Sequence, residues 1–356
     1  MYTRETTREV KVGSLTLGHR NQVIIQSMTN TRTKDVEATV AQIRALAEAG
    51  CQIVRMAILD KEDANAIREI KERCPDIPLV ADIHFNHQFG VLCAQNGIDK
   101  IRINPGNIGG RENVKAVTDA CSQRHIPIRI GINSGSLEKE LIQKYGGPCV
   151  EAMMESAQKH IDLLLENNFE DIVLSFKSSS VPLTIAAYQR AAELFPYPLH
   201  LGVTEAGTFT ESAIKSSAAL GTLLSQHIGD TIRVSVSADP VEELIIAKKL
   251  LNCFGLVEKV PNLISCPTCG RIQYDMLPIA EKVEKYLNTL HSNITVAVMG
   301  CPVNGPQEAS RADIGIAGGY KQGLLFKKGE FVRSVRQEDL FDELVKEINL
   351  FVENEN

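Results

Sequence analysis

At 356 residues the chain is longer than one hydrophobic core usually supports, which predicts two domains and leaves room for one of them to be a large barrel. A formal net charge of -6 excludes broad electrostatic attraction to nucleic acid or anionic lipid, so any affinity for anions must be local. The opening MYTRETTREVKVG has no secretory apolar run, and no stretch is long and apolar enough to span a bilayer. The expectation is a cytosolic protein with no nucleic-acid or membrane partner.

Ahead of Val23, EVKVGSLTLG reads as a hairpin suited to cover the bottom of a barrel. A β-branched run, a polar loop and a helical segment then alternate to about residue 252. Strands are expected at 23–28, 52–57, 79–83, 100–105, 126–132, 171–176, 199–204 and 231–236. The first amphipathic segment, DVEATVAQIRALAEAG, ends at Gly50, placed as a helix stop. Eight βα units over about 250 residues have the rhythm of a TIM-type (β/α)8 barrel, and no GxGxxG follows the first strand to favour an open doubly wound sheet. Past Leu256 the linker VEKVPNLISCP leads to a helix at 274–290, a strand at 294–300, glycine-spaced short strands and a closing helix at 338–353. The fold class is therefore α/β, with the barrel over residues 1–256 and a smaller α+β domain over 257–356.

Parallel strands buried on both faces should be apolar, yet four carry an arginine: Arg55, Arg102, Arg129 and Arg233. Side-chain alternation aligns Arg102 with Asn104, Arg129 with Gly131 and Asn133, and Arg233 with Ser235. The polar columns rise toward the C-terminal strand ends, where barrel enzymes place their chemistry. Such arginines either pair with interior carboxylates or hold an anionic ligand. Lys177 adds to them, while Asp82 and Glu205 are the strand-end carboxylates, so positive charge is in excess and a phosphate site is favoured. At the same ends, His84 is either a surface histidine or part of the site. Glu205, beside Thr204, is a proton donor, a hydroxyl-binding group or a helix cap.

Of nine cysteines, Cys51, Cys74, Cys93, Cys121, Cys149 and Cys253 sit singly among apolar or helical neighbours and read as small buried thiols. The other three are Cys266 and Cys269 in SCPTCG and Cys301 in GCPVNGPQE. Structural zinc wants a fourth Cys or His, and none follows Cys301. A thioredoxin-like CxxC would open a helix and would not need Cys301. Three cysteines shaped by Pro and Gly fit an iron–sulfur cluster whose last iron takes another ligand, and Glu308 is the nearby carboxylate. A zinc-containing barrel protein with a sensor or binding role is the alternative reading.

The ordered set SMTNTRTKDVEATVAQI, VADIHF, KIRINPGNIG, GINSGSL, GVTEAG, CPTCGR and CPVNGPQE resembles the bacterial 4-hydroxy-3-methylbut-2-enyl diphosphate synthase family of the non-mevalonate isoprenoid pathway. That resemblance implies a 4Fe-4S cluster on Cys266, Cys269, Cys301 and Glu308. It implies reductive opening of 2-C-methyl-D-erythritol 2,4-cyclodiphosphate, gripped by Arg55, Arg102, Arg129, Asn133, Lys177, Arg233 and Ser235. Asp82, His84, Thr204 and Glu205 fall at the family's polar strand ends, with Glu205 handling protons. It further implies flavodoxin or ferredoxin as electron donor and a head-to-tail homodimer.

Overall fold

The computed structural model of the chain describes residues 1–104, 106–303 and 305–355. Pro105 (end of the expected fourth strand), Asn304 (within CPVNGPQE) and Asn356 (last residue of the expected second domain) lie outside them. The chain divides into two compact units, Met1–Leu256 and Val257–Asn356.

The first unit opens with an antiparallel hairpin of β1 (Val10–Val12) and β2 (Leu15–Leu17). Val10, Val12 and Leu17 pack on Ile24, Ile53, Val80 and Val173 near the starts of four barrel strands, so the hairpin plugs the N-terminal end. Eight parallel strands follow: β3 (Ile24–Met28), β4 (Ile53–Ile58), β5 (Leu79–Ile83), β6 (Lys100–Ile103), β7 (Ile128–Asn133), β8 (Ile172–Lys177), β9 (His200–Leu201) and β10 (Thr231–Ile232). They pair in the order β8-β7-β6-β5-β4-β3-β10-β9, and a parallel bridge from Leu174 to Leu199 nearly closes the ring. This is the expected (β/α)8 barrel.

A helix follows each strand. The first, Val36–Glu48, starts under the Asp35 side chain, which accepts from the Ala38 N–H, and stops at Gly50, whose φ of +95° few other residues adopt. An additional short helix, Lys139–Tyr145, precedes Val150–Leu165 after β7. Among the described residues no helix is long and apolar enough to cross a membrane.

The expected strands at 199–204 and 231–236 shorten to two residues each. Beyond Leu201 isolated bonds remain, Arg233 N–H to Leu201 O at 2.9 Å and Thr204 N–H to Ser178 O at 3.2 Å, without a repeating ladder. The backbone there opens out into the barrel mouth. Cys51, Cys74, Cys93 and Cys121 are buried as expected, whereas Cys149 is half-buried as a helix N-cap and Cys253 is exposed at a helix end, outside the core.

In the second unit β11 (Asn262–Ser265), β12 (Thr295–Met299), β13 (Ile314–Gly319), β14 (Gln322–Lys327) and β15 (Glu330–Arg336) form one sheet in chain order. The first three are parallel and the last two antiparallel additions. β11 corrects the expectation of a plain linker: NLIS lacks a strong alternation, but its backbone has β12 to pair with. Alternation assigns the two faces. Val296 and Val298 pack under the helices Met276–Leu287 and Leu340–Glu355, while Ala297, Met299 and Ala317 meet the short helix Gly305–Ala309.

One buried carboxyl ties the N-terminal segment to the last two barrel strands. Asp230 Oδ1 accepts from Thr7 Oγ1 at 3.0 Å and Oδ2 from the Leu199 N–H at 2.7 Å, while Arg4 donates to Gly229 O at 3.3 Å. Burial pushes the Asp230 pKa up to about 6, against the pull of those donors and of Arg4. The fold favours the protonated form, so this contribution is complete below about pH 4 and is lost as pH rises through about 6. Thermal melts of Asp230→Asn between pH 4 and 7 should show a shallower fall in stability than the parent, the difference reaching about 3 kcal/mol across the window.

Candidate active site

The barrel strands deliver their polar residues to one cavity of about 160 Å³ at the C-terminal end. Arg55 comes from β4, Asp82 from β5, Arg102 from β6, Arg129 and Asn133 from β7, and Lys177 from β8. His84, Thr204, Arg233 and Ser235 reach it from just past β5, β9 and β10. All ten side chains expected to contact substrate line this space. The paired register of Asp82 with Arg102 and of Arg102 with Arg129 shows why: neighbours in a parallel sheet point the same way.

Charge is unbalanced here. Five basic side chains, Arg55, Arg102, Arg129, Lys177 and Arg233, share the lining with one carboxylate, Asp82. Asp82 Oδ1 accepts from Arg102 at 3.2 Å, and Oδ2 lies 3.8 Å from Arg55 Nε and 3.9 Å from His84 Nε2. Burial works to raise the Asp82 pKa, but Arg55 and Arg102 hold it at about 2. Burial brings Arg55 to about 10 despite Asp82. Arg55 also sets Nε and Nη2 at 3.1 and 2.9 Å from the Met28 sulfur, a weak acceptor.

Arg129 is 1% exposed, and its Nε and Nη1 have no partner among the described residues. Burial, then Arg55 and Arg102, press its pKa well down. Burial and the same arginine cluster act likewise on Lys177. Two glycines make the crowding possible. A Cβ on Gly131 would stand 2.5 Å from Arg102 Nε, and one on Gly202 would stand 3.0 Å from Lys177 Nζ.

In the C-terminal unit Cys266, Cys269, Cys301 and Glu308 line one cavity of about 390 Å³. β11 and β12 run parallel, so their ends bring Cys266 and Cys301 to the same edge, and Glu308 comes from Gly305–Ala309. The Gly300 N–H donates to Cys266 Sγ at 3.3 Å. The Arg271 backbone N–H, then its side chain, hold the exposed Cys269 thiol below its ordinary pKa. Glu308 is half-exposed and lies 3.6 Å from Arg311. Among the described residues no three His, Cys, Asp or Glu side chains meet at a single-ion site. The donors surround a volume: three soft sulfurs, one carboxylate and an amide aimed at sulfur, a set that fits an iron–sulfur cluster.

The sequence matches the GcpE TIM-barrel domain over residues 7–248 and the GcpE protein C-terminal domain over residues 262–350. The chain belongs to the GcpE family. Relatives of this GcpE chain include the 4-hydroxy-3-methylbut-2-en-1-yl diphosphate synthase (flavodoxin) of Bacillus mycoides, 55% identical over 98% of this chain and 96% of that one. The protein of the same name from Bacillus licheniformis is 56% identical, over 98% and 94%. Among solved structures, a dihydropteroate synthase from Stenotrophomonas maltophilia superposes with TM-score 0.49 at 13% identity, covering 68% of this chain and 98% of that one.

In this GcpE chain Glu205 stands apart from the other expected residues. It is exposed, its backbone holds a φ of +54°, and it is absent from the cavity lining that its neighbour Thr204 joins. Two participants escaped the sequence reading. Ser175 lines the cavity two residues before Lys177, a parity signal of the kind that located Arg129 and Asn133. Glu243, 3% exposed on Pro240–Asn252, accepts from Arg233 at 3.2 and 2.9 Å and from Ser27 at 2.7 Å. Its signal was a carboxylate on the same helix stripe as Ile246, Ala247 and Leu250. Arg233 thus has the interior partner that the ion-pair reading foresaw, and Arg129 has none among the described residues.

Gly131→Ala should evict the Arg102 side chain while leaving the fold intact, since the glycine sits in a regular strand. Diphosphate binding measured by calorimetry should weaken about ten- to hundredfold, with the far-ultraviolet spectrum unchanged.

Proposed function

We propose that the barrel cavity grips the diphosphate of 2-C-methyl-D-erythritol 2,4-cyclodiphosphate and that Cys266, Cys269, Cys301 and Glu308 hold a 4Fe-4S cluster. The chain is an oxidoreductase that converts this compound to 4-hydroxy-3-methylbut-2-enyl diphosphate in the non-mevalonate route to isoprenoid precursors. An iron–sulfur cluster is the cofactor of the family. When bound it supplies electrons singly to a reaction that consumes two, chemistry outside the reach of side chains. The donor is a flavodoxin, the carrier in the relatives' names.

The observation that carries the barrel reading is Arg129, a buried guanidinium with two unmatched donor atoms among four further basic side chains. Guanidinium forks match phosphate oxygens two at a time, and a bound diphosphate supplies the missing acceptors and charge. Asp82 keeps Arg55 and Arg102 oriented, and Asn133, with its amide oxygen turned toward Arg102 Nη2 at 3.2 Å, braces the same side chain. Ser235, Thr204 and His84 are left to meet the hydroxyls and the ring. Glu205, at the rim, is assigned proton transfer at the outward side of the substrate. A head-to-tail homodimer, with the cluster of one subunit presented to the barrel of the other, brings the two chemistries together.

Arg129→Ala tests the anion site. The kcat/KM should fall by about one to two orders of magnitude, while anaerobically purified protein keeps about four irons and four sulfides per chain. Unaltered kinetics would remove the arginine from the site, and colourless protein without iron would remove the cluster. Mixing Arg129→Ala with Cys301→Ala chains should restore part of the activity through heterodimers; no recovery would argue for a site within one subunit.

A further inference from the structure

Beneath the guanidinium cage lies a second polar tier that the binding site does not account for. Lys100 is fully buried on β6, two residues before Arg102 and so on the same inward face, and its Nζ reaches one acceptor, Gln26 Oε1, at 3.3 Å. Gln26 Nε2 and His200 Nε2 are buried without partners among the described residues, and His200 Nδ1 meets Thr231 Oγ1 at 2.7 Å. An ammonium carries three donors. Lys100 has one acceptor, and Lys177 Nζ has no hydrogen bond among the described residues.

The groups facing the two lysines are overwhelmingly positive. Arg55, Arg129, Arg233 and Arg102 face Lys177, and Arg129 and Arg55 face Lys100; His200 in turn feels Arg129, Lys177, Lys100 and Arg55. The nearby carboxylates are committed, Asp82 to Arg55 and Arg102 and Glu243 to Arg233. A guanidinium keeps its proton inside proteins and an ammonium does not, so lysine is where such crowding is relieved. Burial and then these arginines drive both lysines well below their ordinary pKa, and burial first does the same to His200.

The substrate changes charge during the reaction. Each phosphorus of the cyclic diphosphate carries one ionised oxygen. When the ring carbon–oxygen bond breaks, its electron pair stays on phosphate and adds a third. In balance, the cyclic dianion, two electrons from the flavodoxin-class donor and one solvent proton give the open trianion and water. We propose that Lys177, backed by Lys100, takes up a second solvent proton as this third charge appears, beyond the one that leaves in water, so that the barrel binds the opened diphosphate with its cage fully ionised. The inference rests on the barrel as the diphosphate site and adds a proton-linked leaving-group residue to it.

Calorimetry of the cluster-loaded enzyme without reductant tests this, using the cyclic substrate and the opened product at about pH 8.5, where phosphate oxygens are ionised. Titrations in two buffers of different ionisation enthalpy count the protons drawn from solvent. Product should draw about half a proton or more beyond substrate, and its affinity should fall by up to about tenfold per pH unit as pH rises. Lys100→Met should lower the count and His200→Asn should leave it unchanged. Equal counts for the two ligands, or no uptake, overturn the proposal, and so does a count kept in Lys100→Met but lost in His200→Asn. The parent enzyme decides alone should Lys100→Met not fold. Absence of binding by either ligand would instead strike the reading of the barrel as the diphosphate site.

Discussion

Basic groups confined in a small space govern the barrel. Four arginines and Lys177 line a cavity of about 160 Å³ with Asp82 as the one carboxylate in the lining, and Glu243 neutralises Arg233 from behind. Buried ions that lack partners are expensive, so a chain does not assemble such a set for stability. The hairpin that plugs the lower end, with its apolar contacts to Ile24, Ile53, Val80 and Val173, supplies the packing that makes the upper tiers tolerable. Apolar burial at one end thereby supports an electrostatically strained site at the other.

Geometry decides which cations remain available to a ligand. Arg55 and Arg102 converge on Asp82, so their forks are aimed before anything binds. Arg129, paired in register with Arg102, keeps open donors among the described residues. Gly131 and Gly202 remove the two Cβ atoms that would collide with Arg102 and Lys177, and the whole arrangement therefore depends on absent side chains as much as on present ones. Preorganised donors of this kind lose little freedom when an anion arrives, which is where their advantage over flexible surface lysines lies.

The barrel was legible because its signals are periodic: β-branched runs at regular spacing, and arginines whose parity with Asn133 and Ser235 forecast one shared face. Where the backbone leaves the ladder, parity stops being a guide. β9 and β10 end after two residues each, and past that point Thr204 turns into the cavity while Glu205, at a φ of +54°, turns out. Glu243 was hidden for a different reason. Its partner Arg233 lies only ten residues upstream, but the two meet because the chain turns back between the end of β10 and the following helix, a reversal that residue pattern alone does not show. β11 was missed because strand pairing with β12, rather than its own residue pattern, holds NLIS extended.

Both units use one device for placing chemistry. Parallel strands end side by side, so the loops that follow them converge without long connections. In the barrel the device gathers basic nitrogens; at the edge of the C-terminal sheet, β11 and β12 deliver Cys266 and Cys301 beside Glu308. The two sets have opposite chemical character, soft sulfurs and a carboxylate against guanidinium and amine nitrogens. Had they shared one strand-end cluster in the folding chain, Asp82 would not be the lone carboxylate facing the arginines: Glu308 would compete with substrate for the same forks.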